Sequence, residues 1–305
     1  MGEGHDPSRI QALDGKPRIV LSRRLLPLAF AASILGTVVR AHADGARSTL
    51  SEEDPLFERR PVGHEVDAEH ESRHALPCRP TITCTADIVP AGDLEVESGV
   101  VSRKQRTGFT LSAPLLLKYS ISHELQIQLG GNTLTAIRTQ KRSTYFDNAV
   151  GGLKVHIVDQ TDKRPSLALS GALSVPTFRA DGYERAYNGI FTAYATKDFG
   201  PLHLDLNLGV NAAGFDKVAT GQGYAALAAE TEFTNEFGAI IEGYVFSDAQ
   251  PYVPEDAGIV FAFTHSPRHW LVFDAGADVS LYQSTRVYST FFGVTFIPVT
   301  FGTHE

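Results

Sequence analysis

Long hydrophobic runs are nearly absent from this 305-residue chain. Only residues 25–39 are continuously apolar, short of the roughly 20 that a spanning helix needs. That excludes a bundle of membrane helices. Cysteine is scarce too, with Cys78 and Cys84 alone. A structural zinc site wants four ligands, so this pair is no metal centre. In an oxidising compartment it suits a small disulfide loop. Gly-x-Ser-x-Gly, His-Glu-x-x-His, the phosphate loop and the dinucleotide fingerprint are all missing. No enzyme and no cofactor are expected.

The apolar run reads as a secretory signal. Arg18, Arg23 and Arg24 supply the positive region, and Ala41-His42-Ala43 the small-x-small cleavage pattern. Residues 1–43 are therefore expected to be an N-terminal extension and signal peptide, with Asp44 the first mature residue. Cleavage removes six of the 27 Lys and Arg and three of the 35 Asp and Glu. That leaves 21 against 32, a net charge of −11 with His neutral. Nucleic acid phosphates call for basic patches, so nucleic acid is excluded as a partner.

Residues 44–92 are expected to form a disordered acidic periplasmic tether and an entry segment. Ser51-Glu52-Glu53-Asp54-Pro55 and residues 63–74 carry too little apolar surface to offset ordering entropy. His64, His70 and His74 stand there among acids and read as solvated rather than metal-binding. Pro80 and Pro90 discourage regular structure in the entry segment.

From residue 93 onward a rhythm takes over. Segments of about 9–12 residues alternate apolar and polar. In the clearest, Leu202, Leu204, Leu206, Leu208 and Val210 oppose His203, Asp205, Asn207, Gly209 and Asn211. Breaks alternate short and long. The short ones are Ser122-His123-Glu124, residues 159–164, Asp198-Phe199-Gly200-Pro201, Thr234-Asn235 and Ser266-Pro267-Arg268. The long ones are near 102–112, 135–146, 176–186, 213–222, 248–256 and 282–286. This predicts an all-β fold over residues 93–305: a transmembrane antiparallel up-and-down β-barrel of about twelve strands. Two strands rich in Ala, near 222–232 and 256–266, have no clear register. Tyr119, Tyr194, Phe199, Tyr244, Phe246, Trp270, Phe296 and Phe301 fall near strand ends, as interfacial girdles would. Phe301, followed by a short tail, matches the terminal aromatic that barrel assembly machinery reads.

Function in such a barrel sits in the lumen and outer loops. Alternation assigns Glu95, Glu97, Lys118, Lys154, His156, His203, Asp205, Glu230, Glu242, Asp274 and Asp278 to the inner face. Charge facing lipid would cost a few kcal/mol near the midplane, so the inward assignment is also the cheaper one. Acids outnumber bases, and an acidic lumen favours cations. Two states stay open: a narrow channel, and a barrel plugged by its own charge pairs. Arg138, Lys141 and Arg142 make one outer loop basic, able to meet lipopolysaccharide or simply be solvated. Phe178, Tyr183, Tyr187 and Tyr252 lie in or beside other loops. For a lipid hydrolase, His156 with Ser170 is the single pair worth considering.

Several segments resemble a known family. They are residues 89–99 (VPAGDLEVESG), 114–127 (PLLLKYSISHELQI), Gly152-Leu153-Lys154, and 169–177 (LSGALSVPT). Together they resemble the bacterial MetA-pathway of phenol degradation family, over about residues 87–301. Lys118 stands where the family has Arg, and Phe178 where Gly is usual. The resemblance implies an outer membrane transporter of small molecules, aromatic or hydrophobic ones among them. The expected partners are membrane lipid, lipopolysaccharide, barrel assembly machinery and a small permeant. The rival expectation is a closed structural or adhesive barrel acting through its outer loops.

Overall fold

Successive side chains of a strand point to opposite faces, so a polar row opposite each Leu row needs a shelter of its own. Curling the sheet until its edges meet supplies that shelter and leaves no unpaired edge. The computed structural model describes residues 74–301 except 106–107, 140–141, 147, 178–186, 215–219, 248–255 and 282–286. The signal peptide, residues 44–73, Lys141, Phe178, Tyr183, Tyr252 and the tail after Phe301 lie outside the described residues.

The strands described are β1 (Asp93–Gln105), β2 (Gly108–Ser120), β3 (Leu125–Arg138), β4 (Arg142–Tyr145), β5 (Ala149–Val158), β6 (Ser166–Val175) and β7 (Asn188–Phe199). They continue with β8 (Leu202–Ala213), β9 (Thr220–Glu232), β10 (Phe237–Phe246), β11 (Asp256–Arg268), β12 (Leu271–Ser280) and β13 (Tyr288–Thr300). Setting β4 aside, neighbours pair antiparallel in chain order, and β1 pairs with β13 from Asp93↔Thr300 to Lys104↔Tyr288. The result is a closed twelve-stranded antiparallel β-barrel. β4 is a short arm on the far end of β3.

Alternation holds around the wall. On β6, Ser166, Ala168, Ser170 and Ser174 are buried inward, while Leu167, Leu169 and Leu173 face out. The two Ala-rich strands now have a register. Gln222, Tyr224, Ala226, Ala228 and Glu230 of β9 line the interior, as do Gly258, Val260, Ala262 and Thr264 of β11. The outer face carries large apolar side chains with no protein over them: Phe263 is 66% exposed, Leu129 53% and Val210 52%. Such a belt is stable against hydrocarbon and costly against water.

The structure differs from the expected breaks at three places. The loop expected over 102–112 is largely strand, because Val101↔Ser112 to Gln105↔Gly108 continue the ladder past the apolar belt. Most of 135–146 likewise becomes the β3–β4 arm. The turn expected at Ser266-Pro267-Arg268 moves to His269-Trp270. A bulge between His265 and Arg268 absorbs Pro267, which has no N–H to give the ladder. Three girdle aromatics also turn inward. Tyr194 and Tyr244 are buried in the lumen, and Phe246 packs with Tyr244 there. Tyr119 and Phe301 do meet on the outside, edge to face with centroids 6.1 Å apart.

The largest difference concerns the entry segment. Residues 74–92 run inside the lumen, at the end of the barrel where the short turns lie. Ala75 donates to the carbonyl of His269 in the β11–β12 turn at 2.8 Å, and Gly92 to that of Ser120 at 2.8 Å. Between these rim contacts the chain dips in and returns, with Cys78 and Cys84 joined by a disulfide. Of the tether and entry segment expected over residues 44–92, the part from His74 on is ordered against the wall. Without regular structure of its own, this stretch is ordered by polar wall groups that take up its backbone.

Candidate functional site

A loop inside a barrel cannot complete a ladder, yet its buried N–H and C=O groups need partners. Here charged side chains of the wall supply them. Glu95 of β1 accepts from the Leu76 N–H at 2.6 Å. Glu97, one step further along the same face, accepts from Cys78 at 3.0 Å and Arg79 at 3.1 Å. Glu242 of β10 accepts from Ile82 at 2.8 and 3.1 Å and from Thr83 at 3.3 Å. Carbonyls are met from the other side. Lys118 of β2 donates to Leu76 O at 2.6 Å, and Lys154 of β5 to Thr85 O at 2.5 Å and Asp87 O at 2.8 Å. His156 Nδ1 lies 3.2 Å from Ala86 O.

Lys118 also bridges Glu95 at 2.7 Å, and it contacts Glu97. These groups are almost completely buried. A buried ion is tolerated only when paired and hydrogen-bonded, and the segment's peptide groups complete the set that the ion pairs begin. Arg79 adds a side-chain contact, its Nη2 lying 3.8 Å from Asp274. Gly99 and Gly293 make room for it: a Cβ would come within 2.7 Å of Arg79 at either position.

The structure brings seven of the eleven expected lumen residues to the segment: Glu95, Glu97, Lys118, Lys154, His156, Glu242 and Asp274. His203 and Asp205 lie instead in a cluster at the turn end. His203 Nδ1 is 2.6 Å from Asp198 and Nε2 is 3.2 Å from Asp205. Glu230 pairs with His203 across the ladder. Asp278 accepts from the Tyr244 hydroxyl at 2.8 Å. His156 and Ser170 are not brought together. Ser170 faces Lys154 in register and bonds the Tyr194 hydroxyl at 2.8 Å, while His156 Nε2 lies 2.9 Å from Asp159.

Uncharged partners escaped the sequence reading. Thr196 Oγ1 accepts from the Ala86 N–H at 2.6 Å. The Asn207 amide, oriented by its partners, accepts from Cys84 N at 2.8 Å and donates to Cys84 O at 2.9 Å. Ser166 donates to Asp87 Oδ1 at 2.6 Å. Parity with Leu206 and Leu208 turns Asn207 inward, but it carries no charge to mark it out.

The carboxylates Asp205, Glu230, Glu242, Asp274, Glu95 and Glu97 occupy the arc from β8 through β13 to β1. The ammonium groups Lys118 and Lys154 occupy β2 and β5. Past the segment, toward the long loops, aromatic rings line β9 and β10. Tyr224 stacks on Phe246 with centroids 5.3 Å apart, and Tyr244 meets Phe246 at 5.9 Å. Phe291 packs against the cluster of Ala226, Tyr244 and Val260, as Ile82 of the segment does.

No protein-family model and no curated protein matches the chain. Among solved structures it is similar to an outer membrane channel from Pseudomonas putida F1. The TM-score is 0.53 at 10% identity, covering 70% of this chain and 97% of that one. It also matches the NanC porin, with a TM-score of 0.49 at 9% identity, covering 67% and 98%. At such identities the likeness is one of fold.

Proposed function

We propose that this protein is an outer membrane channel for the passive uptake of small molecules through a narrow, net acidic lumen. The observation that carries this reading is the closed barrel itself, apolar outside and polar within, as a wall between bilayer and a polar lumen would be. Residues 74–92 narrow that path at the turn end. The aromatic rings of Tyr224, Tyr244, Phe246 and Phe291 suit the aromatic or hydrophobic permeants that the family resemblance implies. Export by a signal peptide over residues 1–43, insertion by barrel assembly machinery and contact of exposed Arg138 with lipopolysaccharide belong to the same reading.

The test is single-channel recording of the mature chain, residues 44–305, in a planar bilayer. Small, steady, cation-selective steps are expected. Silence, with folding verified by heat-modifiable gel mobility, would overturn conduction. It would favour the second reading, a plugged barrel acting through its outer loops. The main-chain bonding of the luminal segment is the observation on that side.

A further inference from the structure

We infer that the Cys78–Cys84 bridge is a redox-operated tie across the lumen, and that it sets the aperture of the channel at its turn end. The contacts of residues 76–87 fall into two arms on facing arcs of the wall. The first arm, Leu76 to Arg79, is held by Glu95 and Glu97 of β1, Lys118 of β2 and Asp274 of β12. The second, Cys84 to Asp87, is held by Lys154 of β5, Ser166 of β6, Thr196 of β7 and Asn207 of β8. Among the described residues, no backbone hydrogen bond runs from one arm to the other.

The bridge lies on a diameter. With β4 set aside, β8 is six pairings from β1 through β2, β3, β5, β6 and β7, and six through β13, β12, β11, β10 and β9. Glu97 of β1 holds the Cys78 N–H at 3.0 Å, and Asn207 of β8 holds the Cys84 N–H at 2.8 Å. The disulfide keeps the two Cα atoms 4.5 Å apart. Without it, the six steps from Cys78 to Cys84 would reach up to about 20 Å, at roughly 3.3–3.6 Å each. The middle of that stretch is already at the side, since Ile82 and Thr83 donate to Glu242 of β10, between the two arcs. The closed bridge makes the segment cross the lumen. Open thiols let it bow toward β10 with its wall contacts kept.

Both cysteines are half-buried, within reach of a small dithiol from the lumen. One thiolate of the dithiol attacks a bridge sulfur, and its second thiol resolves the mixed disulfide. Two protein thiols form as the dithiol closes into a cyclic disulfide, so two electrons and two protons pass to the bridge. The inference rests on the channel reading for the aperture, and stands apart from it for the tie.

The test records the full mature chain in a planar bilayer before a dithiol, after it, and again after reoxidation. Reduction is expected to enlarge the single-channel step and to admit larger uncharged polymers. Reoxidation should restore both. The double variant Cys78→Ser with Cys84→Ser should show the larger step from the outset and no response to dithiol. Equal steps and equal polymer exclusion in the two redox states would overturn the inference and leave the channel reading standing.

A second measurement needs no conduction. The reduced chain is offered one equivalent of a rigid phenylene bismaleimide, too long to bridge two cysteines at disulfide spacing. Intramolecular bridging, read by mass as one adduct and no free thiol, is expected once the arms part. Separate adducts, or thiols that fail to react, would overturn the tie. Silence in both redox states would sink the channel reading, and the bismaleimide would then decide the tie alone.

Discussion

The carboxylate of Glu242 on β10 holds the backbone N–H of Ile82 at 2.8 and 3.1 Å, across 160 residues of chain. Glu242→Ala removes the acceptor for both Ile82 and Thr83. Hydrogen bonds to charged groups contribute about 1.5–3 kcal/mol. Hydrogen exchange at these two amides should therefore quicken by roughly tenfold or more, with β-strand amides unchanged. Unaltered protection at Ile82 would contradict the assignment.

The wall itself is tested by neighbours of opposite parity. Leu208 points outward, 48% exposed, while Asn207 beside it is 1% exposed in the lumen. Leu208→Arg puts a charge on the lipid face and should cost about 2–4 kcal/mol near the midplane. The readout is a lower denaturant midpoint in liposomes. A midpoint equal to that of the parent would mean that Leu208 does not face lipid.

Cys78 and Cys84 close a loop at the tip of the segment, with Cα atoms 4.5 Å apart. Intact mass should show the loss of both thiol hydrogens relative to the reduced form. Closing so short a loop restricts the open chain by about 2 kcal/mol in the chain-entropy account. Cys78→Ser should accordingly speed exchange over residues 79–83 and leave the barrel's midpoint where it was. Two free thiols in protein taken directly from the membrane would dispose of the bridge.

Glycine opposite tyrosine recurs on the inner wall. A Cβ on Gly209 would lie 2.2 Å from the Tyr224 ring, which itself bonds Thr192. Gly209→Val should push that ring off Phe246 and lower stability by about 1–3 kcal/mol, the usual cost of overpacking. Gly171, with nothing within 4 Å of its Cβ position, is the control. Gly171→Ala should stay within about 0.5 kcal/mol of the parent.

Strand parity was legible because lipid and lumen impose opposite demands on alternate residues. Leu202 to Val210 and Leu167 to Leu173 state it plainly. It faded where Ala suits both faces, as in Ala225, Ala226, Ala228 and Ala229, and there only the ladder decides. Turn positions slipped where a bulge hid Pro267. The luminal segment left no signal of its own. Residues 75–87 have neither period, since their peptide groups are met by side chains of several strands rather than by a ladder. Hydrophobic pattern reports what an element hides from water, and this segment is held through its backbone. The acids that hold it were found, and their ligand was not.

The groups that hold residues 76–87 are spread over β1, β2, β5, β6, β7, β8, β10 and β12. No partial sheet presents the complete set. It exists once β13 has met β1 and the circle is shut. Contacts so distant along a chain form late. The segment therefore docks in the reverse of the order of synthesis: made before every strand of the wall, it takes its place after the last.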